Sequence, residues 1–171
     1  MSVSRGGNTI IQLATSMALI RIAVLLLAVV AGATAAPLPY NEGANAPVEI
    51  ERALAVAART QKPVLLVFGA NWCEDCRALD RALRSSRNAA LIAEEFLVVK
   101  IDVGNFDRNL ALSARYGNPI KGGIPAAVVL SPSNEVRYAT RAGELSNARA
   151  MSATGVYEFF RTAASAANLK K

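Results

Sequence analysis

Apolar residues occur along the chain in two patterns, continuous runs and helical spacing. The runs Val64–Phe68, Phe96–Asp102 and Ala126–Leu130 predict strands. The first run is apolar throughout, which indicates a central strand with both faces covered. Ser131–Asn134 is rich in turn-forming residues, so we expect Val136–Thr140 to return as the second strand of a hairpin.

Helical spacing of apolar residues predicts helices between and around these strands. We expect helices from about Pro47 to the Lys62-Pro63 pair, from about Cys73 to Arg84, at Ala89–Glu94, at Asn109–Tyr116 and over about 156–167. Helices that alternate with strands in this order predict an α/β fold. Its mixed sheet should be flanked by helices on both faces.

The beginning of the chain has the pattern of an export signal. The uncharged residues Ile22–Ala36 follow Arg21 and include the small residues Ala33-Thr34-Ala35, which suit signal peptidase. Because this apolar core is shorter than the roughly 20 residues of a membrane-spanning helix, we expect cleavage after Ala35 and no stable membrane insertion afterwards. An uncleaved anchor is the alternative.

This signal sets the expected domain organisation. Residues 1–35 form the signal peptide, residues 36–46 an extended linker and residues 47–171 the folded domain. A compact signal would also begin at Met17, so translation from Met17 is a second hypothesis. Export places the protein in the periplasm or outside the cell, where disulfides persist.

Charge and composition narrow the possible chemistry. Histidine is absent, which excludes Ser-His-Asp and Cys-His catalysis and histidine metal sites. The formal charge is +6, but the basic residues are spread along the sequence, so no nucleic-acid partner is expected. The candidate chemistry therefore belongs to the two cysteines.

Cys73 and Cys76 stand three positions apart at the start of a predicted helix, which follows a predicted strand. A helix N-terminus favours the thiolate, and this spacing brings two sulfurs to one helix face. The pattern predicts dithiol–disulfide exchange, with no cofactor and no metal. A zinc site would need about four ligands, and haem attachment would need a histidine at Arg77. An inert disulfide, a copper chaperone and a non-catalytic adaptor of the cell envelope are the alternatives.

Two segments resemble the thioredoxin superfamily. Pro63–Cys76, with its Trp72-Cys73 pair, resembles the family's active-site segment. Gly123-Ile124-Pro125, just before the third strand, resembles its cis-proline loop. The resemblance covers about residues 47–168 and implies a thioredoxin-like fold.

The resemblance also implies roles for five residues. Cys73 would be the exposed nucleophile and Cys76 the shielded resolving thiol. Pro125 would be cis, Ile124 would offer backbone hydrogen bonds to an extended substrate, and Trp72 would form part of the rim. The implied partners are disulfide-containing protein substrates and an electron donor of the membrane or periplasm.

The sequence departs from the family at positions near the cysteines. The family's buried Asp, six residues before the nucleophile, is Val67 here. Glu74 and Asp75 lie between the cysteines, and two carboxylates should disfavour the Cys73 thiolate. We therefore expect a protein that leans towards reduction of its substrates.

Other charged residues in this region have a simpler interpretation. The resemblance aligns Lys100 with the family's buried Lys, but without the Asp partner we interpret it as a solvated lysine near a strand end. Asp80 and Arg84 have i,i+4 spacing, and we interpret them as an ion pair on a solvated helix face.

Overall fold

A computed structural model describes residues 37–168 of the chain. The helices are α1 (Ala46–Thr60), α2 (Glu74–Leu83), α3 (Ser86–Glu95), α4 (Leu110–Arg115) and α5 (Ala153–Asn168). The strands are β1 (Val64–Gly69), β2 (Leu97–Asp102), β3 (Ala126–Leu130) and β4 (Val136–Ala139), and short 3-10 helices span Pro119–Gly122 and Ala148–Ala150. The expected signal peptide at 1–35 and the alternative start at Met17 lie outside the described residues.

The strands form one mixed sheet in the order β2-β1-β3-β4. β1 runs parallel to β2 and antiparallel to β3, and β3 and β4 form the expected antiparallel hairpin. Every residue of β1 is buried, which confirms the prediction of a central strand. The expected α/β fold with a mixed sheet is thereby confirmed.

The two faces of the sheet carry separate apolar clusters, because successive side chains of a strand point to opposite faces. Leu66 and Phe68 of β1 lie in the cluster that includes α1. Leu65 and Val67 lie in the other cluster, with α2 and α5. Helices therefore cover both faces, as expected.

The segment before α1 differs from a simple extended linker. Asn45 caps α1 by accepting a hydrogen bond from the Val48 amide at 3.3 Å, and the helix begins at Ala46. Tyr40 is only 4% exposed and lies in the cluster that includes α1. The chain from Leu38 onward belongs to the compact domain.

The element bounds differ from the predictions mainly where the pattern is weak. α3 begins at Ser86, three residues before the expected start at Ala89, and Phe96 ends this helix instead of beginning β2. The two 3-10 helices were not predicted, because such short helices have no apolar period of their own. Within residues 37–168, no helix has the length and apolar character needed to cross a membrane.

The packing of α5 leads to a prediction about stability. Phe160 is 1% exposed and fills the cluster between α5 and the sheet. We expect Phe160→Ala to lower the free energy of unfolding by about 3–5 kcal/mol, because it leaves a cavity in a packed core. Phe106→Ala is the matched control, since Phe106 is 43% exposed and should cost about 0.5 kcal/mol or less. Urea unfolding measures both, and equal losses would contradict the described core.

Candidate active site

The passage from β1 into α2 positions both cysteines. β1 ends at Gly69, and after a short loop Cys73 caps the N-terminus of α2. The Cys73 sulfur accepts a hydrogen bond from the Cys76 amide at 3.2 Å. An amide donor and the positive end of a helix both stabilise a negative sulfur, so this location suits a nucleophilic thiolate.

Both cysteines are buried. Cys76 is completely buried, whereas Cys73 retains 7% exposure, so Cys73 is less exposed than the resemblance implied. Both cysteines are free thiols in the structure. Burial raises the pKa of the Cys76 thiol, and its hydrogen bond with Cys73 raises it further. A hydrogen bond with Tyr40 acts in the opposite direction on the same pKa.

The loop before β3 lies beside Cys73. The Ile124–Pro125 peptide bond is cis, which confirms the conformation that the resemblance implied for Pro125. The carbonyl oxygen of Ile124 lies 3.7 Å from the Cys73 sulfur, where it can accept a hydrogen bond from the thiol. The structure therefore brings Cys73 and the Ile124-Pro125 pair together, although they are far apart in sequence.

A close approach between two backbone segments shapes the groove beside Cys73. A Cβ on Gly122 would lie 2.5 Å from the Gly143 nitrogen, so the two segments touch only because glycine stands there. The groove has a volume of about 600 Å³, and Arg149 is among the residues that line it. The groove is open to solvent and is lined by Cys73 and Ile124 as well.

Trp72 forms one edge of this groove and is 52% exposed. Its indole N–H donates to the Gly104 carbonyl at 2.8 Å, which holds the ring in place. Phe106, also exposed, meets the indole edge to face at a centroid distance of 6.1 Å. The location of Trp72 agrees with a rim residue, and sequence reasoning had not identified Phe106.

The carboxylates between the cysteines have a partner that sequence reasoning missed. Arg149 pairs with Glu74, and its backbone N–H donates to Asp75 at 2.9 Å. The hydrogen bond to Asp75 raises the pKa of the Arg149 guanidinium. Arg149 follows the last strand in sequence, and no motif links it to the cysteines. Only the fold places this positive charge beside the two negative ones.

Asp80 and Lys100 correct two interpretations made from the sequence. Asp80 does not lie on a solvated face, since its side chain is 5% exposed, although it does form the expected ion pair with Arg84. Lys100 stands within β2 opposite Val67 and pairs with Asp80. The carboxylate partner of Lys100 therefore comes from α2 instead of position 67.

A helical-spacing signal for Asp80 was present in the sequence. Asp80 follows Cys76 by one helical turn and shares the buried face of α2 with Leu79 and Leu83. Its charge favours a solvated position on sequence grounds, because an unpaired buried carboxylate is costly. Lys100 and Arg84 provide the compensation that only the structure reveals.

Within residues 37–168, no group of three or more histidine, cysteine, aspartate or glutamate side chains is placed to hold a metal ion.

The fold and the cysteine loop define an α/β protein of the thioredoxin-like class. The model of a family described as thioredoxin-like matches residues 45–132, about half of the chain. The chain belongs to this thioredoxin-like family. The match includes both cysteines and the Ile124-Pro125 pair.

Known proteins with similar structures agree with this assignment. The crystal structure of a disulphide isomerase from Xylella fastidiosa Temecula1 has 61% sequence identity and a TM-score of 0.73, and the similarity covers 75% of this chain and 98% of that chain. The solution structure of a thioredoxin from Thermus thermophilus has 20% identity and a TM-score of 0.50, over 66% of this chain and 82% of that chain. The second likeness concerns the fold alone.

Among curated proteins, anterior gradient protein 2 of Xenopus tropicalis is 31% identical over 97 residues. The matched region is 57% of this chain and 54% of that protein. The chain thus spans about half the length of this curated relative.

The ion pairs of Arg149 lead to a prediction about reactivity. Arg149→Ala leaves Glu74 and Asp75 without their partner beside Cys73, and uncompensated carboxylates disfavour a nearby thiolate. We expect iodoacetamide to alkylate Cys73 about two- to fivefold more slowly, the range typical of exposed ion pairs. The rate is measured in a Cys76→Ser background, so that a single thiol reacts.

The matched control for Arg149→Ala is Arg161→Ala. Arg161 is similarly exposed and pairs with Glu158 at 2.6 Å, within α5. It should leave the alkylation rate unchanged. The effect of Arg149→Ala should fade in roughly 1 M NaCl, because salt screens exposed charges. A loss of rate that is equal in both variants, or independent of salt, would refute the electrostatic explanation.

Proposed function

We propose that the protein is a thiol–disulfide oxidoreductase that acts on protein disulfides through Cys73 and Cys76. The observation that carries the proposal is the difference in location between the two thiols. Cys73 caps a helix at an open groove, while Cys76 is buried beneath it. Membership of the thioredoxin-like family and the similarity to a disulphide isomerase support the same class of reaction.

The proposed reaction has two exchange steps. The Cys73 thiolate attacks one sulfur of a substrate disulfide, and the other substrate sulfur leaves as a thiolate. The Cys76 thiolate then attacks the Cys73 sulfur of this mixed disulfide and releases the second substrate sulfur. The substrate gains two electrons, and the protein ends with a Cys73–Cys76 disulfide. An electron donor of the membrane or periplasm would return it to the dithiol.

The groove suggests how an extended substrate binds. The backbone at Ile124 lies next to the Cys73 sulfur, where it can pair with a substrate strand. Pro125 follows it, and we propose that these two residues form the substrate-binding loop. Trp72 provides an exposed apolar edge on the same groove. Backbone pairing gives affinity with little sequence preference, which suits a protein with several substrates.

The direction of the reaction depends on the stability of the thiolates. A strong oxidant of this family needs a stabilised thiolate in its reduced form. Here burial raises the pKa of the Cys76 thiol, which provides no such stabilisation. Because Arg149 offsets the charges of Glu74 and Asp75, these carboxylates are the weaker argument for a reductase. The burial of the Cys76 thiol is the stronger one. We therefore propose a function that leans towards reduction.

The proposal extends to the location of the protein. The apolar segment before Ala35 would direct export, and the thioredoxin-like domain, expected at residues 47–171 and extended here to include the segment from Leu38, would act in the periplasm or outside the cell. Disulfides persist in that compartment, so a reductase would find its substrates there.

The reduction of insulin disulfides in the presence of dithiothreitol tests the proposal. The protein from residue 36 onward should accelerate insulin precipitation, and Cys73→Ala should return the rate to that of dithiothreitol alone. Cys76→Ser should instead accumulate a mixed disulfide between insulin and Cys73, because the resolving thiol is missing.

The outcome also separates the alternatives. An adaptor would bind its partner without accelerating reduction. A copper chaperone would bind Cu(I) tightly in its reduced form and lose binding in Cys73→Ala. Insulin reduction that continues at the normal rate in Cys73→Ala would refute the assignment.

A further inference from the structure

Tyr40 lies outside the family match, which begins at residue 45, yet its side chain is part of the site. Two hydrogen bonds tie its backbone to the loop before Trp72. The Tyr40 N–H donates to the Asn71 side-chain oxygen at 3.0 Å, and the Asn71 amide donates back to the Tyr40 carbonyl at 2.8 Å. The segment before α1 is therefore held against the loop that carries Cys73.

The Tyr40 hydroxyl reaches the buried thiol across Gly69. A Cβ built on Gly69 would lie 2.2 Å from the Tyr40 hydroxyl oxygen and 2.8 Å from the Cys76 sulfur. Both atoms therefore crowd the same point, which is vacant only because β1 ends in glycine. The hydroxyl and the thiol are therefore neighbours, and a hydrogen bond between them lowers the pKa of the thiol.

The chemistry of the pair sets the direction of this hydrogen bond. Burial raises the pKa of the Tyr40 phenol well above its ordinary value, and the neighbouring Cys76 raises it further. The phenol therefore keeps its proton where thiols react. The hydrogen bond with Tyr40 lowers the pKa of Cys76, as expected when a phenol O–H donates to a thiolate.

We propose that Tyr40 is a further catalytic residue, whose O–H donates a hydrogen bond to the Cys76 sulfur and stabilises it as a thiolate. The inference rests on the proposed function. When a donor thiolate attacks the Cys73 sulfur of the disulfide, a donor–Cys73 bond forms and the Cys73–Cys76 bond breaks. The electron pair of the broken bond stays on the Cys76 sulfur, and the phenol O–H donates a hydrogen bond to the resulting thiolate. In the opposite direction the same hydrogen bond increases the fraction of Cys76 thiolate available to attack.

Reduction of the isolated protein by dithiothreitol tests this role without a protein substrate. Trp72 is the only tryptophan of the chain, so its fluorescence next to Cys73 reports the state of the disulfide. Tyr40→Phe keeps the ring and removes only the hydroxyl. We expect stopped-flow reduction of this variant to be about ten- to a hundredfold slower at pH 7, because hydrogen bonds to charged groups have this magnitude.

The matched control is Tyr116→Phe. Tyr116 is also buried in the cluster that includes α1, and its hydroxyl donates to the Asn134 side chain at 3.1 Å, away from the cysteines. This variant should be reduced at the normal rate. A normal rate in Tyr40→Phe, or equal slowing in both variants, would overturn the role of Tyr40.

A measurement of pH dependence separates catalysis from a merely structural effect. In Cys73→Ala, the absorbance of the Cys76 thiolate reports its titration. Adding Tyr40→Phe should shift this titration upward by about one pH unit or more, whereas adding Tyr116→Phe should not. An unchanged titration would count against the proposal even if reduction were slower. Loss of insulin reduction with this shift intact would instead overturn the proposed function.

Discussion

The burial of β1 on both faces is the constraint on which the rest of the structure depends. β1 pairs with β2 on one side and β3 on the other, so its position in the sheet allows little displacement. Its last residue, Gly69, leads into the loop that ends at Cys73. The location of the cysteine pair is thus determined by the strand that is packed most completely, and a precise site gains from such a rigid support.

Basic residues from distant parts of the chain compensate the negative charges of the carboxylates near the cysteines. Asp80 is buried one turn beyond Cys76 and would be costly without Lys100, which reaches it from β2. Arg149 plays a similar part at the surface for Glu74 and Asp75. The charges around the thiols therefore come from three separate segments, which are α2, β2 and the segment after β4 that contains Arg149.

Most of the fold could be predicted from local pattern, but the site could be predicted only in part. The apolar run of β1 indicated a central strand because two covered faces leave no polar positions. The cysteine spacing and the Ile-Pro pair indicated the candidate site because residue type and spacing are enough to recognise these motifs, without knowledge of tertiary contacts. The interpretation of Asp80 and Lys100 as solvated residues was wrong. A charged residue is normally solvated, and the sequence does not show that these two residues pair with each other.

The sequence by itself determined the strands, the helices and the two thiols, because strand and helix periods and the reactivity of cysteine are local properties. The tertiary structure alone decided that both thiols are buried, that Arg149 pairs with the carboxylates next to Cys73, and that Tyr40 reaches Cys76 across Gly69. These are contacts between residues far apart in the chain. They arise only when the sheet and its connecting loops bring such residues together, so no local pattern records them.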